Sequence, residues 1–160
     1  MEVMKVAANH NEKAVITWRL PDGFLAFQAK PKFDEDVVNV YLGGKRIRLV
    51  IKKPTDEADK RAHASAISPD VVHSFDAWLL SIIVNGLPIT ANLAFVHDAF
   101  GSDSIHGADI QDVARDAYYQ VSSRDVMSIV LQQIAGQPIE LPDPGDWKLE
   151  ELLTAEYIVC

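Results

Sequence analysis

The alternation of apolar and polar residues predicts two β-hairpins in the first third of the chain. In the segment AVITWRLPDGFLAFQA, β-branched and aromatic residues flank a turn at Pro21-Asp22-Gly23. The segment VVNVYLGGKRIRLVI predicts a second hairpin, with its turn at Gly43-Gly44. The polar stretch that follows, KKPTDEADKRAHASA, is expected to be a connector that becomes helical toward its end.

The clearest helical pattern follows this connector. Ser68 is the expected N-cap, Pro69 suits a first turn, and Gly86 is the expected stop. Between them, apolar residues recur at helical spacing and form a broad stripe. The stripe consists of Val71, Val72, Phe75, Trp78, Leu79 and Ile82.

The second half of the chain predicts one strand and three helices. Residues 89–96 (ITANLAFV) are expected to form a buried strand that ends at His97-Asp98. Apolar periodicity predicts helices over residues 108–121 and 124–135, and a short helix over residues 148–153. Hairpins and helices that do not alternate regularly predict the α+β class.

Composition places the chain among folded proteins. Its 160 residues are 48% apolar, with a net charge of -8, which argues against a binder held to nucleic acid by bulk positive charge. Cys160 is the only cysteine, so internal disulfides and zinc–thiolate clusters are excluded. No signal-peptide pattern is present, and the stretch 71–84 is judged too short and too polar to span a membrane. We therefore expect a soluble, cytoplasmic protein without a membrane partner.

The charge is unevenly distributed along the chain. Residues 101–160 carry 11 acids and 3 bases, a net of -8, whereas residues 41–61 carry seven bases and three acids, a net of +4. A basic stretch beside a strand pair can lie along phosphates, and its alternative is an ordinary solvated hairpin. The bases are Lys45, Arg46, Arg48, Lys52, Lys53, Lys60 and Arg61.

Candidate chemistry lies where the predicted strand ends. A carboxylate at a sheet rim, such as Asp98, can bind a hard cation such as Mg²⁺. Two-metal phosphoryl transfer requires more than one carboxylate, and Asp76 and Asp103 are less convincing second ligands. In the alternative interpretation Asp98 caps a turn and His97 is a hydrogen-bonded rim histidine.

Two motifs resemble a known family. The segments SPDVVHSFDAWLL and LAFVHDAFG resemble the C-terminal part of the single-subunit, phage-type DNA-directed RNA polymerases. In that family a P-x-F-V-H-S-x-D helix precedes a strand and an H-D-S-F-G turn, the third catalytic motif of the palm. Ala99 replaces the usual serine. The matching positions are Pro69, Val72, His73, Ser74, Asp76, His97, Asp98, Phe100 and Gly101.

Three further segments extend the resemblance in the same order along the chain. WRLPDGFLAFQ is similar to the family's T-P-D-G-F-P-V-W-Q stretch, and the hairpin around YLGGKRIRL falls where the family carries its specificity loop. The ending WKLEELLTAEYIVC is similar to the family's C-terminal tail. Related DNA-copying polymerases carry a second acid after the motif's Asp, so Ala99 favours the RNA-synthesising branch.

The resemblance implies an architecture and a set of roles. Residues 1–72 would be a fingers-derived segment with the specificity-loop-like hairpin, and residues 73–160 the C-terminal palm segment of a right-hand polymerase. Asp98 would be one of two catalytic aspartates that bind Mg²⁺, supported by His97, and His73 would bind substrate near the sugar hydroxyl. Nucleic-acid phosphates would contact Lys45, Arg46, Arg48, Lys52 and Lys53.

The resemblance also implies a partner. The first palm aspartate and the fingers helix of the family have no match in this sequence. Because the chain starts with Met and ends like the family, we expect the small subunit of a split phage RNA polymerase rather than a fragment. The larger subunit would supply the missing groups, and the complex would use DNA template, RNA and ribonucleoside triphosphates in the host-cell cytoplasm.

Two other interpretations remain open at the level of sequence. The chain could be a non-catalytic binding module derived from a polymerase, which holds nucleic acid or protein through its basic hairpin. It could also be an unrelated small α+β domain, in which the strand 89–96 would pack away from His73.

Overall fold

The computed structural model describes residues 2–96, 99–122, 124–142, 146 and 148–154. Of these residues 46% are helical and 31% are in strands, and every strand pair is antiparallel, in agreement with the α+β class. The helices are α1 (Glu2–His10), α2 (Lys60–Gly86), α3 (Gly107–Val121), α4 (Arg124–Ala135) and α5 (Glu151–Thr154). The strands are β1 (Val15–Arg19), β2 (Leu25–Ala29), β3 (Pro31–Leu42), β4 (Lys45–Ala58), β5 (Leu93–Val96) and β6 (Ala99–Ser102).

The first predicted hairpin is confirmed as β1 and β2. Its turn is closed by backbone hydrogen bonds between Leu20 and Phe24 and between Gly23 and Leu20. Gly23 has a φ of 90°, a conformation that glycine adopts without steric penalty. Inward residues such as Trp18 are buried and outward ones such as Phe27 are exposed, so the hairpin covers the core with one face.

The second predicted hairpin is also confirmed, but it is longer than the sequence suggested. β3 and β4 pair from Pro31 to Ala58, and Gly43 and Gly44 form the turn with φ of 56° and 79°. The predicted polar connector is therefore wrong for residues 52–58, which belong to β4. The charged residues of this segment favoured a loop in the sequence analysis. Nearly all of the hairpin is exposed to solvent, however, so its strands tolerate charged side chains. We call β3 and β4 together the ribbon.

The predicted start of the main helix is also wrong. The N-cap of α2 is Asp59, whose side chain accepts a hydrogen bond of 2.9 Å from a first-turn backbone N–H. Ser68 and Pro69 lie inside the helix. A proline in a helix interior removes one hydrogen bond, but Ile67 and Val71 on either side are fully buried. Tertiary packing therefore keeps α2 continuous to Gly86.

α2 is the central element, and it contributes to two apolar clusters. Its N-terminal half packs with α1, β1 and α4, and its C-terminal half packs with α3 and the β5–β6 hairpin. α2 is long and apolar enough to span a membrane by length and composition alone, whereas the shorter stretch 71–84 predicted no membrane-spanning segment. A core helix satisfies the same criterion, and Val71, Trp78 and Ile83 are buried in these clusters.

The predicted buried strand 89–96 is only partly correct. β5 contains residues 93–96 alone, and it pairs with β6 in a two-stranded hairpin. Leu93 and Phe95 pack against the second cluster, whereas Val96 on the other face is 68% exposed. A two-stranded hairpin with one covered face cannot bury both sides of its strands.

The remaining helices largely follow the prediction. α3 and α4 agree with it to within one residue, whereas α5 starts later than predicted, and α1 has no counterpart among the predicted elements. The proposed boundary between residues 72 and 73 falls within α2, and the first apolar cluster contains residues from both sides of it. The division into a fingers-derived and a palm segment stays a prediction.

Candidate functional site

The helix motif divides its residues between two sides of α2. Val71, Ser74 and Phe75 are buried, whereas His73 and Asp76 are exposed. This division follows from the period of 3.6 residues, because positions three and four apart share a face. The motif therefore anchors α2 in the core and at the same time presents an imidazole and a carboxylate on the surface.

A buried hydrogen bond joins two of the segments that carry the family resemblance. The indole Nε1 of Trp18 donates to the Ser74 hydroxyl at 3.0 Å, and that hydroxyl donates to the Val71 carbonyl at 2.7 Å. Trp18 and Ser74 are 56 residues apart in the sequence. The hydrogen bond fixes the β1–β2 hairpin against the helix motif.

His73 and Asp76 open onto a cavity of about 590 Å³. The cavity lies between α2, β6 and α3. Phe100, from the turn motif, lines its opposite side, so the structure brings the helix motif and the turn motif to one site. The complete lining is His73, Asp76, Ala77, Leu79, Leu80, Phe100 and Tyr118.

A second cavity of about 340 Å³ lies on the other side of His73, between α2 and the β1–β2 hairpin. Phe24, Phe27 and Asp70 line it, and His73 and Ala77 line both cavities. His73 therefore stands between two adjoining hollows on the surface of α2.

A buried polar network lies at one end of this region. The Gln28 amide nitrogen donates to an Asp70 carboxylate oxygen at 2.9 Å, and the Gln28 amide oxygen lies 2.6 Å from His63 Nδ1. His63 is 1% exposed. Burial lowers the pKa of His63, and the nearby backbone carbonyls of Ala14 and Lys13 oppose that shift without cancelling it. The imidazole is therefore held neutral between the hairpin and α2.

The catalytic residues predicted from the sequence, His97 and Asp98, lie outside the described residues. In the sequence they fall between Val96 and Ala99, which are paired across β5 and β6. Phe100 stacks edge-on against Phe95 with the ring centroids 5.9 Å apart. The assignments of His97 as supporting group and of Asp98 as metal ligand stay predictions.

Asp103 joins the base of the β5–β6 hairpin to α3. One carboxylate oxygen lies 2.7 Å from His106 Nδ1 and accepts from the His106 backbone at 3.1 Å, and the other accepts from the Asn92 side-chain amide at 3.1 Å. These hydrogen bonds, chiefly the one to His106, hold the pKa of Asp103 well below its usual range. Asp103 is thus occupied in fixing the hairpin, which disfavours it as a second metal ligand.

The described residues do not by themselves form a cation site. No group of three or more histidine, cysteine or acidic side chains comes together within the described parts of the chain. Asp76 is the carboxylate that lines the larger cavity in those parts. The described residues alone therefore do not supply a complete set of carboxylate ligands for Mg²⁺ at this site.

The five basic residues predicted to contact nucleic acid all lie on β4, and the register divides them between the two faces of the ribbon. Arg46, Arg48 and Lys52 lie opposite Tyr41, Asn39 and Glu35 on one face. Lys45 and Lys53 lie on the other face. Lys52 pairs with Glu35 at 3.3 Å, and Lys53 pairs with Asp36. In the part of the chain that the structure describes, Arg46 and Arg48 make no ion pair.

These features define an α+β protein whose site lies between a central helix and a short β-hairpin. The sequence profile of a family described as DNA-dependent RNA polymerase matches residues 1–140. A comparison with curated proteins gives no significant match. Because the profile covers most of the chain, the protein belongs to the phage-type DNA-dependent RNA polymerase family. This result confirms the resemblance, although the tail segment lies beyond the matched residues.

Two features of the site were not identified from the sequence. Tyr118 belongs to a predicted apolar helix face, and only the position of α3 beside α2 brings it to the cavity. The hydrogen bonds of Asp103 join residues on either side of a hairpin. A weak local signal existed for the second feature, since an aspartate side chain can accept a hydrogen bond from a nearby backbone N–H, here that of His106 three residues later.

Proposed function

We propose that this chain supplies the third palm motif of a DNA-directed RNA polymerase, with Asp98 as one of its two metal-binding catalytic aspartates. The observation that supports the proposal is the shared cavity, which His73 and Asp76 line from the helix motif and Phe100 from the turn motif. The family match over residues 1–140 includes both motifs.

In this proposal a larger polymerase subunit supplies the first palm aspartate and the fingers helix. The complex would transfer nucleotides from ribonucleoside triphosphates to an RNA 3′-hydroxyl on a DNA template, in the cytoplasm of the host cell. Mg²⁺, when bound, would supply electrostatic stabilisation of the attacking and leaving oxygens. This chain would hold the metal-binding carboxylate at the cavity and place His73 beside the substrate sugar.

The need for a partner is supported by the apolar surface around the β5–β6 hairpin. Ile89, Val96 and Ile105 lie in this hairpin or within a few residues of it in the sequence, and all three are strongly exposed in the single chain. Large apolar side chains that a fold leaves exposed can mark a protein interface. A larger subunit that completes the palm would cover them.

The polar face of the ribbon supports contact with nucleic acid. Arg46 and Arg48 are exposed on it beside Asn39 and Tyr41, and guanidinium groups bind phosphates well. Lys52 is partly neutralised by Glu35. We therefore assign the leading role to the two arginines, with Lys45, Lys52 and Lys53 as secondary phosphate contacts.

The test is the substitution Asp98→Asn in the chain co-purified with the polymerase polypeptide that carries the first palm aspartate. Nucleotide addition should fall by at least about 100-fold, since removing a metal ligand forfeits several kcal/mol of transition-state stabilisation. Asp112→Asn, which changes an exposed aspartate outside the cavity, should retain activity and serves as the matched control.

Two outcomes would contradict the proposal. Near-normal nucleotide addition by the Asp98→Asn complex, with assembly verified by sedimentation, would exclude Asp98 as a catalytic ligand. Salt-dependent nucleic-acid binding by the chain without synthesis in any complex would favour the non-catalytic binding module instead.

A further inference from the structure

The β1–β2 hairpin has an open edge along β2. The Leu20 N–H donates to the Phe24 carbonyl at 3.0 Å, so these two residues form a hydrogen-bonded pair next to the start of β2. Such pairs alternate with non-hydrogen-bonded pairs in an antiparallel ladder, so Ala26 also bonds to β1, whereas the backbone groups of Leu25 and Phe27 point away from it. β2 pairs with β1 alone, and within the described parts of the chain no backbone hydrogen bond reaches these outward groups.

The second cavity, of about 340 Å³, runs along this open edge. Its lining includes Leu25, Ala26 and Phe27, three consecutive residues whose side chains point alternately to the two faces of the hairpin. A hollow that meets consecutive residues of both faces lies at the edge of the strand. Asp70 and His73 of α2 line its other side. The outward backbone groups of β2 therefore border a hollow between this strand and α2.

The sequence of β2 does not protect this edge. Open edges in soluble proteins are usually shielded by charged side chains, by proline or by a bulge. β2 (LAFQA) contains no charged residue and no proline, and its register with β1 is regular. Leu25 and Phe27 are 52% and 67% exposed. An unprotected apolar edge is typical of a strand that pairs with another polypeptide.

The opposite edge of the hairpin, along β1, is occupied within the chain. The Gln133 side-chain amide accepts from the Arg19 N–H at 2.8 Å and donates to the Arg19 carbonyl at 3.0 Å. One side chain of α4 thus makes at β1 the two hydrogen bonds that a residue of a neighbouring strand would make. Among the described residues no equivalent group serves the edge of β2, so the hairpin is completed on one side only.

We propose that an extended segment of the larger polymerase subunit pairs with this edge and adds a third strand to the hairpin. A row of outward N–H and C=O groups is the complement of another β-strand, and strand addition is a common mode of peptide recognition. The identity of the partner rests on the proposed function. His73 and Ala77 line both this cavity and the larger one, so a subunit that completes the proposed catalytic site lies beside the edge of β2.

The surroundings of the edge define the chemistry of the added segment. Residues of an added strand share a face with their neighbours on β2, so its outward side chains would contact Leu25 and Phe27 and should be apolar. Its inward side chains would enter the cavity beside Asp70 and His73. The Asp70 carboxylate accepts from Gln28 at 2.9 Å and has further acceptor capacity, so a basic or amide side chain fits there and an acidic one does not.

The first experiment measures backbone hydrogen exchange, residue by residue, in the chain alone and in its complex with the polypeptide that carries the first palm aspartate. Strand addition should slow exchange of the Leu25 and Phe27 amides by at least about tenfold, since both would become hydrogen-bonded. The Ala26 amide, which already bonds to β1, should change less. This alternating pattern distinguishes an added strand from a partner that only covers the edge.

The second experiment compares variants by the dissociation constant of the same complex. Phe27→Pro removes the outward N–H without removing a hydrogen bond to β1, and it should weaken the complex at least about tenfold. Phe27→Ala removes the same aromatic ring but keeps the donor, so it should weaken the complex less. Thr17→Pro is the matched control, because Thr17 lies directly opposite Phe27 and its N–H points to the other edge. Far-ultraviolet circular dichroism verifies that each variant is folded.

Three results would each overturn strand addition. The first is unchanged exchange at Leu25 and Phe27 in an assembled complex. The second is protection of these amides by a single-stranded DNA oligonucleotide in place of the polypeptide, which would assign the cavity to nucleic acid. The third is equal weakening of the complex by Phe27→Pro and either of the other two variants.

The same exchange measurement on the Asp98→Asn complex separates this inference from the proposed function. Protection of the edge in a complex whose synthesis does not depend on Asp98 overturns the catalytic assignment only. An unprotected edge in a complex that Asp98→Asn inactivates overturns strand addition only. Absence of any complex, verified by sedimentation, overturns both.

Discussion

At the scale of single residues, short polar side chains fix the geometry around the proposed site. Ser74 joins the helix motif to Trp18, and Asp103 joins the base of the β5–β6 hairpin to α3. Both side chains are short, with few rotamers to restrict, and both satisfy several hydrogen-bonding groups at once. Such residues contribute to a site through position, without contact with the substrate.

The contribution of Asp103 can be tested with Asp103→Ala. The amides of Asn92 and His106 would lose their common acceptor, so backbone hydrogen exchange in β5 and β6 should become faster. The matched control is Asp109→Ala, which removes the same charge from the exposed first turn of α3. Equal exchange rates in the two variants would show that Asp103 does not hold the hairpin.

At the scale of elements, α2 organises the molecule through its close contact with α3. A Cβ atom on Gly86, the last residue of α2, would approach Val113 Cγ1 to 2.6 Å. The valine side chain is stiff because it is branched at Cβ. The glycine therefore allows the two helices to approach more closely than an alanine would, and it sets the position of α3 beside the cavity.

Gly86→Ala should accordingly destabilise the protein, although alanine has the higher helix propensity. Overpacking at this contact should reduce the free energy of unfolding by about 1–3 kcal/mol, measured by urea denaturation. The companion variant Gly86→Ala with Val113→Ala removes the clash and should recover part of this loss. A Gly86→Ala protein as stable as the original chain would contradict the packing argument.

At the scale of the whole molecule, the stability of the fold is expected to depend on pH through His63. It is buried where the β1–β2 hairpin, the end of the ribbon and the start of α2 meet, and its pKa is lowered from 6.5 by burial. The unfolded chain therefore binds more protons at this residue than the folded chain, below about pH 6.5. The stability contributed by neutral His63 is present at higher pH and is lost as the pH falls.

The free energy of unfolding should therefore decrease between pH 7.5 and pH 5.5, with at most about 1.4 kcal/mol per pH unit due to one proton. His63→Gln keeps a side-chain donor for Gln28 but cannot titrate, so its stability should depend less steeply on pH. Denaturation curves of both proteins across this range make the comparison. If the free energy of unfolding depends on pH in the same way in both proteins, His63 does not contribute to that pH dependence.

The sequence predicted the elements that depend on neighbouring residues. Gly43 and Gly44 predicted their turn because glycine adopts positive φ without steric penalty, and both residues have positive φ in the structure. Local signals were misleading where distant packing overrides them. Ser68 and Pro69 suit a helix start, but Asp59 makes the actual cap and buried side chains carry the helix through the proline. Only part of the site could be predicted from the sequence. The helix motif and the turn motif were recognised, whereas the position of Tyr118 and the hydrogen bonds of Asp103 were not.

The sequence alone therefore determined the polymerase family, the α+β class and the two hairpin turns, since motif order and turn chemistry are written in adjacent residues. The tertiary structure decided that the two motifs line one cavity, that α2 carries both apolar clusters, and that the basic residues of β4 lie on both faces of the ribbon. These properties arise from contacts between residues distant in the chain and from strand register. A local sequence pattern cannot specify long-range contacts or strand register, because both depend on which other segment of the chain packs or pairs with it.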